Sequence, residues 1–370
     1  MKIRQFGSAG DLSREEHHVK VVVNVNGTRA KYSSKAAAIL KAAGALGDAI
    51  DVSGMTRPRV HAKIAAAPGV EPILILGGYD LVPTFVLSNP TLHVERQQEG
   101  AAGADKNIPS DGPYGGTPGN QAQQLVPTRA VARLPDSSAK GAADFLALVS
   151  GLASPAKTPA GGFQECAAEF VKPSRDVATA AQIAASLLVS PPVTSTDPAL
   201  PGKIKGEGRI HILLHGANYD PDWADLWGHT AGSKDWPRGL SAPTLAAAAF
   251  SGSVVTFSSC YAAMIDLSKK IPVRDATNQV SLACLKSGAK AVFAVTRSNW
   301  IGSDGSSLGP GLARLLWTGL VAGKTAGQAL IDAKRQLASE AMKSGTQADL
   351  PYVYKTLAQA QLYGNPEATL

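Results

Sequence analysis

Short apolar runs recur along the chain, separated by stretches long enough to hold a helix. Val19-Lys20-Val21-Val22-Val23, Ile73-Leu74-Ile75-Leu76, Ile210-His211-Ile212-Leu213-Leu214, Val254-Val255-Thr256-Phe257 and Ala291-Val292-Phe293-Ala294-Val295 lack the strict polar alternation of a half-solvated strand. Runs of this kind suit parallel strands covered on both faces. The pattern predicts strands over residues 18–25, 72–76, 128–133, 164–169, 209–214, 253–258 and 291–295. It predicts helices over 34–46, 58–67, 139–152, 177–188, 242–249, 276–287, 307–318 and 325–340. Strand–helix alternation implies an α/β fold with a mainly parallel sheet. Residues 97–124, rich in Gly, Gln and Pro and without apolar periodicity, are expected to be loop. Ser154-Pro155-Ala156-Lys157-Thr158-Pro159 is the expected boundary between two α/β subdomains lying side by side, 1–155 and 156–370.

Two of the apolar runs end abruptly in a reactive residue. Arg209 to Leu214 delivers His215-Gly216, and Val254 to Phe257 delivers Ser258-Ser259-Cys260. Open α/β sheets place their ligands at strand ends, so His215 and Cys260 are expected side by side. An imidazole beside a thiol favours the thiolate and can later protonate a leaving amine, the minimum equipment for nucleophilic acyl transfer. A cysteine ending a strand is equally consistent with inert core. Cys166, in an ordinary Glu-Cys-Ala stretch, and Cys284, inside a predicted helix, fit that structural reading. Cys260 differs in lying past its strand among small polar residues. Gly216, without a side chain, would let a substrate carbonyl approach the backbone, and its N–H with that of Cys260 would form an oxyanion hole.

Composition narrows the picture. At 370 residues, with 18% charged residues, the chain can bury a large core and fits no disorder class. Three cysteines without paired spacing point to a reducing compartment. The first twenty residues hold no apolar h-region and no run approaches membrane-spanning length, so a cytoplasmic location is expected. The net charge of +7 is dispersed, with no basic run among aromatics, so neither nucleic acid nor a membrane is expected as partner.

The order strand-His-Gly, long loop, strand-Ser-Cys, helix, strand resembles the gingipain-type cysteine peptidases of the caspase-haemoglobinase fold, over most of the chain. Gly78-Tyr79-Asp80 and Pro83 after the strand at 73–76 are a loose variant of that family's Gly-Asp turn and Pro. Ser110-Asp111-Gly112-Pro113-Tyr114-Gly115 matches its Ser-Asp-x-x-Tyr-Gly loop. Val131-Ala132-Arg133-Leu134-Pro135 matches its strand ending in Gly-Arg-apolar-Pro, with Ala132 for the glycine, and Leu362-Tyr363-Gly364-Asn365-Pro366 resembles its closing Gly-Asp-Pro segment. The resemblance implies a caspase-like three-layer αβα fold and a cysteine endopeptidase using a Cys260/His215 dyad. It implies further that Glu169 assists the histidine, and that Asp176, just before a helix, binds the guanidinium of a P1 arginine or lysine while Trp300 packs on its stem. Asp176 is equally well explained as a helix cap. Arg175 or Arg297 pointing into the pocket would instead favour an acidic P1 residue, as in caspases.

Other motifs add little chemistry. Trp223, Trp227 and Trp236 crowd the polar stretch 217–240, either roofing a substrate cleft or pinning a loop. His229 is not expected to be catalytic, because no predicted strand delivers it. His17-His18 has no ligand pair at a metal-binding spacing, so no metal and no cofactor are expected. Gly319 to Thr325 resembles a phosphate loop but has one residue too few and follows a helix. No Gly-x-Ser-x-Gly elbow surrounds Ser258 or Ser259. Beside the endopeptidase, two functions stay open: a catalytically silent module of the same fold that binds a regulatory protein partner, and a transpeptidase working through the same acyl-enzyme.

Overall fold

The apolar runs come together, with shorter strands between them, in a single broad sheet. The computed structural model describes residues 19–98, 104–136, 141–153, 156–217, 225–265, 278–299, 308–344 and 349–370. Its strands are β1 (Val19–Val23), β2 (Gly47–Asp51), β3 (Ile73–Leu76), β4 (Phe85–Ser88), β5 (Asn107–Ser110), β6 (Val131–Leu134), β7 (Gly161–Ala167), β8 (Leu188–Ser190), β9 (Glu207–Leu213), β10 (His215–Gly216), β11 (Asp225–Trp227), β12 (Arg238–Ser241), β13 (Val254–Phe257), β14 (Ala291–Val295) and β15 (Ala360–Gly364). Ten form the central sheet in the order β2-β1-β3-β6-β15-β14-β13-β9-β7-β8. Pairing is parallel along β2-β1-β3-β6 and along β14-β13-β9-β7-β8, while β15 runs antiparallel to β14.

Direction of crossover decides where each helix goes. Passing from β1 out to β2 and from β2 back to β3 reverses direction, so right-handed connections put the two helices on opposite faces. The same holds for β7 to β8 and β8 to β9. One layer runs through Ala36–Gly44, Ala142–Leu152, Val280–Lys286, Ala242–Ala247 and Leu200–Ile204, each packed on the next. The other runs from Val171–Ala180 through Leu308–Val321 and Ala326–Ser344 to Leu350–Gln359. The result is the three-layer αβα architecture expected. Its core is the sheet interior, where Val21, Ile75, Ile210, Ile212, Val254, Val255 and Val292 are fully buried.

Several elements depart from the expectation. A helix at Val25–Tyr32 and the edge strand β2, whose Asp48 and Asp51 are exposed, carry too few apolar residues to be recognised. Residues 97–124 are not all loop: they contain β5, a 3₁₀ turn at Gly112–Gly115 and a short helix at Gln121–Leu125. The helix expected at 177–188 is instead Val171–Ala180, and Leu188 to Ser190 form β8. The terminal helix and β15 bury Lys355, Gln359 and Gln361, polar residues that break the apolar pattern.

Gln361 belongs to a buried polar system centred on Arg133. Its side chain is 0% exposed and grips Asp111 with two bonds, Nε to Oδ2 at 2.6 Å and an Nη2 to Oδ1 bond at 2.7 Å. Its Nη1 donates to the carbonyls of Gly77, Gly78 and Val82 at 2.7, 3.2 and 3.1 Å. Asp111 N–H donates to Gln361 Oε1 at 3.2 Å, and Arg133 is the residue of β6 registered with Tyr363 of β15. A buried charge is tolerated only when paired and fully hydrogen-bonded, which is the case here. Arg133→Met should destabilise the protein by about 3–5 kcal/mol in urea denaturation, since it strands the Asp111 carboxylate. Asp111→Asn in that background should recover part of the loss. A cost below about 1 kcal/mol for Arg133→Met would show that the pair does not support the fold.

Candidate functional site

Four neighbouring strands of the parallel set end on one rim, in the order β14, β13, β9, β7. Each is followed within four residues by a polar side chain of the site: Asn299 after β14, Cys260 after β13, His215 after β9 and Glu169 after β7. Phe257 of β13 is registered with Ile212 of β9, so Cys260 and His215 each lie three residues past a matched pair. Ser258 N–H donates to Ile212 O at 2.9 Å and Leu214 N–H to Ser259 Oγ at 3.0 Å, extending the alignment beyond the strands. A Cβ built on Gly216 would stand 1.9 Å from the Cys260 carbonyl oxygen, so only glycine permits this approach.

The sulfur of Cys260 accepts the Asn299 N–H at 3.1 Å, a donor placed to stabilise negative charge on it. Asn299 is itself held by its side-chain bond to Ser258 O at 2.8 Å. Tyr261, next to the cysteine, has φ of 56°, a left-handed conformation costly for a bulky residue. Its hydroxyl donates to the buried Asp105 at 3.1 Å and its N–H to Arg297 O at 3.2 Å. Asp105 also accepts Ser298 N–H at 3.0 Å and faces Lys355 at 3.6 Å; burial raises its pKa. Lys355 donates to Glu95 and, at 2.6 Å, to Ser298 Oγ. This network fixes the turn that carries the thiol.

Glu169 stands in the short turn Ala168–Phe170 rather than at the end of a strand. Its Oε1 is 2.5 Å from His215 Nε2 and its Oε2 is 2.5 Å from His229 Nδ1. Burial is the largest influence on His215 and lowers its pKa, with the Glu169 bond pulling the other way. Phe170 and Trp236 pack on the His215 ring, with centroids at 4.7 and 4.8 Å. Trp236 also stacks on His229 at 4.0 Å.

His229 was hidden from the sequence because its delivery is indirect. The segment expected to be loop holds β11 and β12, which join β10 in an antiparallel three-stranded sheet. His229 follows β11 by two residues, and its carbonyl accepts Ala168 N–H at 2.9 Å, setting it beside Glu169. Trp227-Gly228-His229 was the available signal. Asn299 was likewise overlooked inside Arg297-Ser298-Asn299-Trp300.

The remaining sequence candidates fare unevenly. Asp176 neither precedes nor caps a helix: it is exposed in the interior of Val171–Ala180, seven residues past Glu169, or about 10 Å along the chain at helical rise. Arg175 is also exposed on that helix, and Arg297 is turned to Asn107 O at 2.9 Å and to Asp105 at 3.5 Å. Trp300 and Trp223 lie outside the described residues. Cys166 and Cys284 are fully buried, and burial raises both thiols. Among the described residues no helix is long and apolar enough to cross a membrane.

No protein-family model matches this chain, and no curated protein matches it in sequence. Solved structures do. The crystal structure of gingipain R (RgpB), an Arg-specific cysteine proteinase, superposes with a TM-score of 0.64 at 12% identity, covering 98% of this chain and 80% of that one. The complex of Porphyromonas gingivalis RgpB pro- and mature domains gives 0.63 at 12% identity, covering 95% and 79%. Separase in the Saccharomyces cerevisiae separase–securin complex matches at 0.40 and 11% identity, over 65% of this chain and 14% of that one, too distant to carry weight. At such identity the likeness is one of architecture: the chain has the caspase-like αβα fold seen in gingipain R.

Proposed function

We propose that the protein is a cysteine endopeptidase in which Cys260 is the nucleophile and His215 the acid–base. The observation that carries this reading is the row Asn299, Cys260, His215, Glu169 across four adjacent strand ends. Strands in a sheet lie about 4.8 Å apart, which puts side chains at neighbouring strand ends within reach of each other. With Glu169 on Nε2, the Nδ1 of His215 is the nitrogen left to take the thiol proton. The sulfur then attacks the scissile carbonyl carbon, and the N–H groups of Gly216 and Cys260 meet the charge on its oxygen. Collapse breaks the C–N bond as His215 returns the proton to the amine. Water, deprotonated by His215, hydrolyses the thioester. Residues 1–155 serve as the supporting subdomain.

The finer reading, cleavage after Arg or Lys, draws on the arginine specificity of gingipain R and not on Asp176. An exposed ion pair is worth about 0–1 kcal/mol, so Asp176→Ala should leave kcat/KM for Arg substrates within about fivefold. Cleavage profiling on a denatured proteome should give basic P1 residues; a preference for Asp would overturn this part.

Cys260→Ala should abolish hydrolysis, and His215→Ala should lower kcat/KM by about 10²–10⁴-fold. Full activity in either variant would refute the mechanism. Gly216→Ala should push its Cβ into the Cys260 carbonyl and lower kcat by about 10²–10³-fold, while a small alkylating agent still labels Cys260. Unchanged kcat in that variant would remove Gly216 from the oxyanion site.

A further inference from the structure

We propose that Glu169, His215 and His229 form a divalent transition-metal site of the zinc class, and that a bound ion switches off the proposed peptidase by capturing its histidine. The switching part rests on the function proposed above; the metal site does not. Two imidazole nitrogens and a carboxylate oxygen are a common zinc ligand set, and here the three lie within 4.8 Å of one another. A tetrahedral ion with bonds of about 2.0–2.1 Å needs ligand atoms about 3.3 Å apart. The two nitrogen–oxygen separations of 2.5 Å therefore open by about 1 Å to admit it.

Hydrogen-bond bookkeeping at His229 supplies the independent argument. Its Nε2 lies 3.2 Å from Ser233 O, and a carbonyl can only accept, so Nε2 carries a hydrogen. In the neutral ring Nδ1 is then a bare lone pair, yet it faces Glu169 Oε2 at 2.5 Å. Two lone pairs at that separation repel, so the site requires a positive centre between them. A divalent ion placed there takes both lone pairs as ligands. Donation of the far ring N–H to a backbone carbonyl is also how metal-bound histidines are oriented. Trp236, stacked on His229 and edge-on to His215, holds both rings and shields the site on one side.

Loading the ion inverts the tautomer of His215. Coordination uses the Nε2 lone pair, so the ring's proton moves to Nδ1, and the nitrogen assigned in the proposed mechanism to take the thiol proton becomes a donor. Cys260 then has no base to take its proton.

The test titrates Zn²⁺ into chelator-stripped full-length protein by calorimetry, with Co²⁺ as a spectroscopic probe. One ion per chain is expected, with a tetrahedral cobalt spectrum lacking a thiolate charge-transfer band. His229→Ala, His229→Gln and Glu169→Gln should each weaken binding by more than about tenfold, with unchanged circular dichroism, while Cys260→Ala retains it. Zn²⁺ should inhibit peptide hydrolysis reversibly, and His229→Gln should raise the inhibitory concentration by a similar factor. Absence of binding would overturn the site. So would binding lost in Cys260→Ala but kept in the His229 variants, which would put the ion on the thiol. Metal binding in a protein that hydrolyses no peptide would sustain the site and count against the proposed function instead.

Discussion

The Arg133–Asp111 pair is the constraint around which the rest of the molecule is arranged. A guanidinium at zero exposure is stable only when its donors are matched; its partners here come from the chain after β3 and the chain after β5, and Asp111 in turn is bonded to Gln361 of β15. Apolar residues of the same segments, among them Val82, Ile108, Tyr114 and Tyr363, are buried around the pair. These segments converge where β6 and β15, more than two hundred residues apart in the chain, meet. From there β14 and β13 are set in register, and with them the rim that holds Asn299 and Cys260.

A second polar layer extends the same logic toward the thiol. Glu95, Asp105 and Lys355 are buried together, and through Tyr261 and Ser298 they grip the turns on both sides of Cys260. Hydrophobic burial builds the strands; ionic and hydrogen-bonded groups decide what their ends point at. This division fits a site that must hold a strained residue such as Tyr261 at φ 56° without relaxing.

It also explains what could be read from the chain alone. Ile210 to Leu214 and Val254 to Phe257 announce themselves because both faces are apolar, and the residues at their ends, His215 and Cys260, follow at once. The two strands that precede them are paired in the sheet, as their pattern led one to expect. Edge strand β2 and the helix Leu350–Gln359 were missed, because solvent on one and buried Lys355 on the other erase the apolar period. The meeting of Glu169 with His229 depends on a β11–β12 excursion sixty residues away. No local spacing encodes that. Asp176 was placed before its helix for a related reason: that helix starts at Val171, where Lys172, Pro173 and Ser174 give a weak start signal, and Ser174 rather than an aliphatic residue fills a buried position.

The small antiparallel sheet has a mechanical consequence. Its first strand, β10, is His215-Gly216 itself, so the flap that carries Trp227, His229 and Trp236 is hydrogen-bonded to the very residues it covers. In most lidded sites the cover swings clear of a rigid floor. Here cover and floor share a strand, and displacement of one is strain on the other. A ligand wedged beneath Trp236 would be felt as a pull along β10, giving the site leverage over its own geometry.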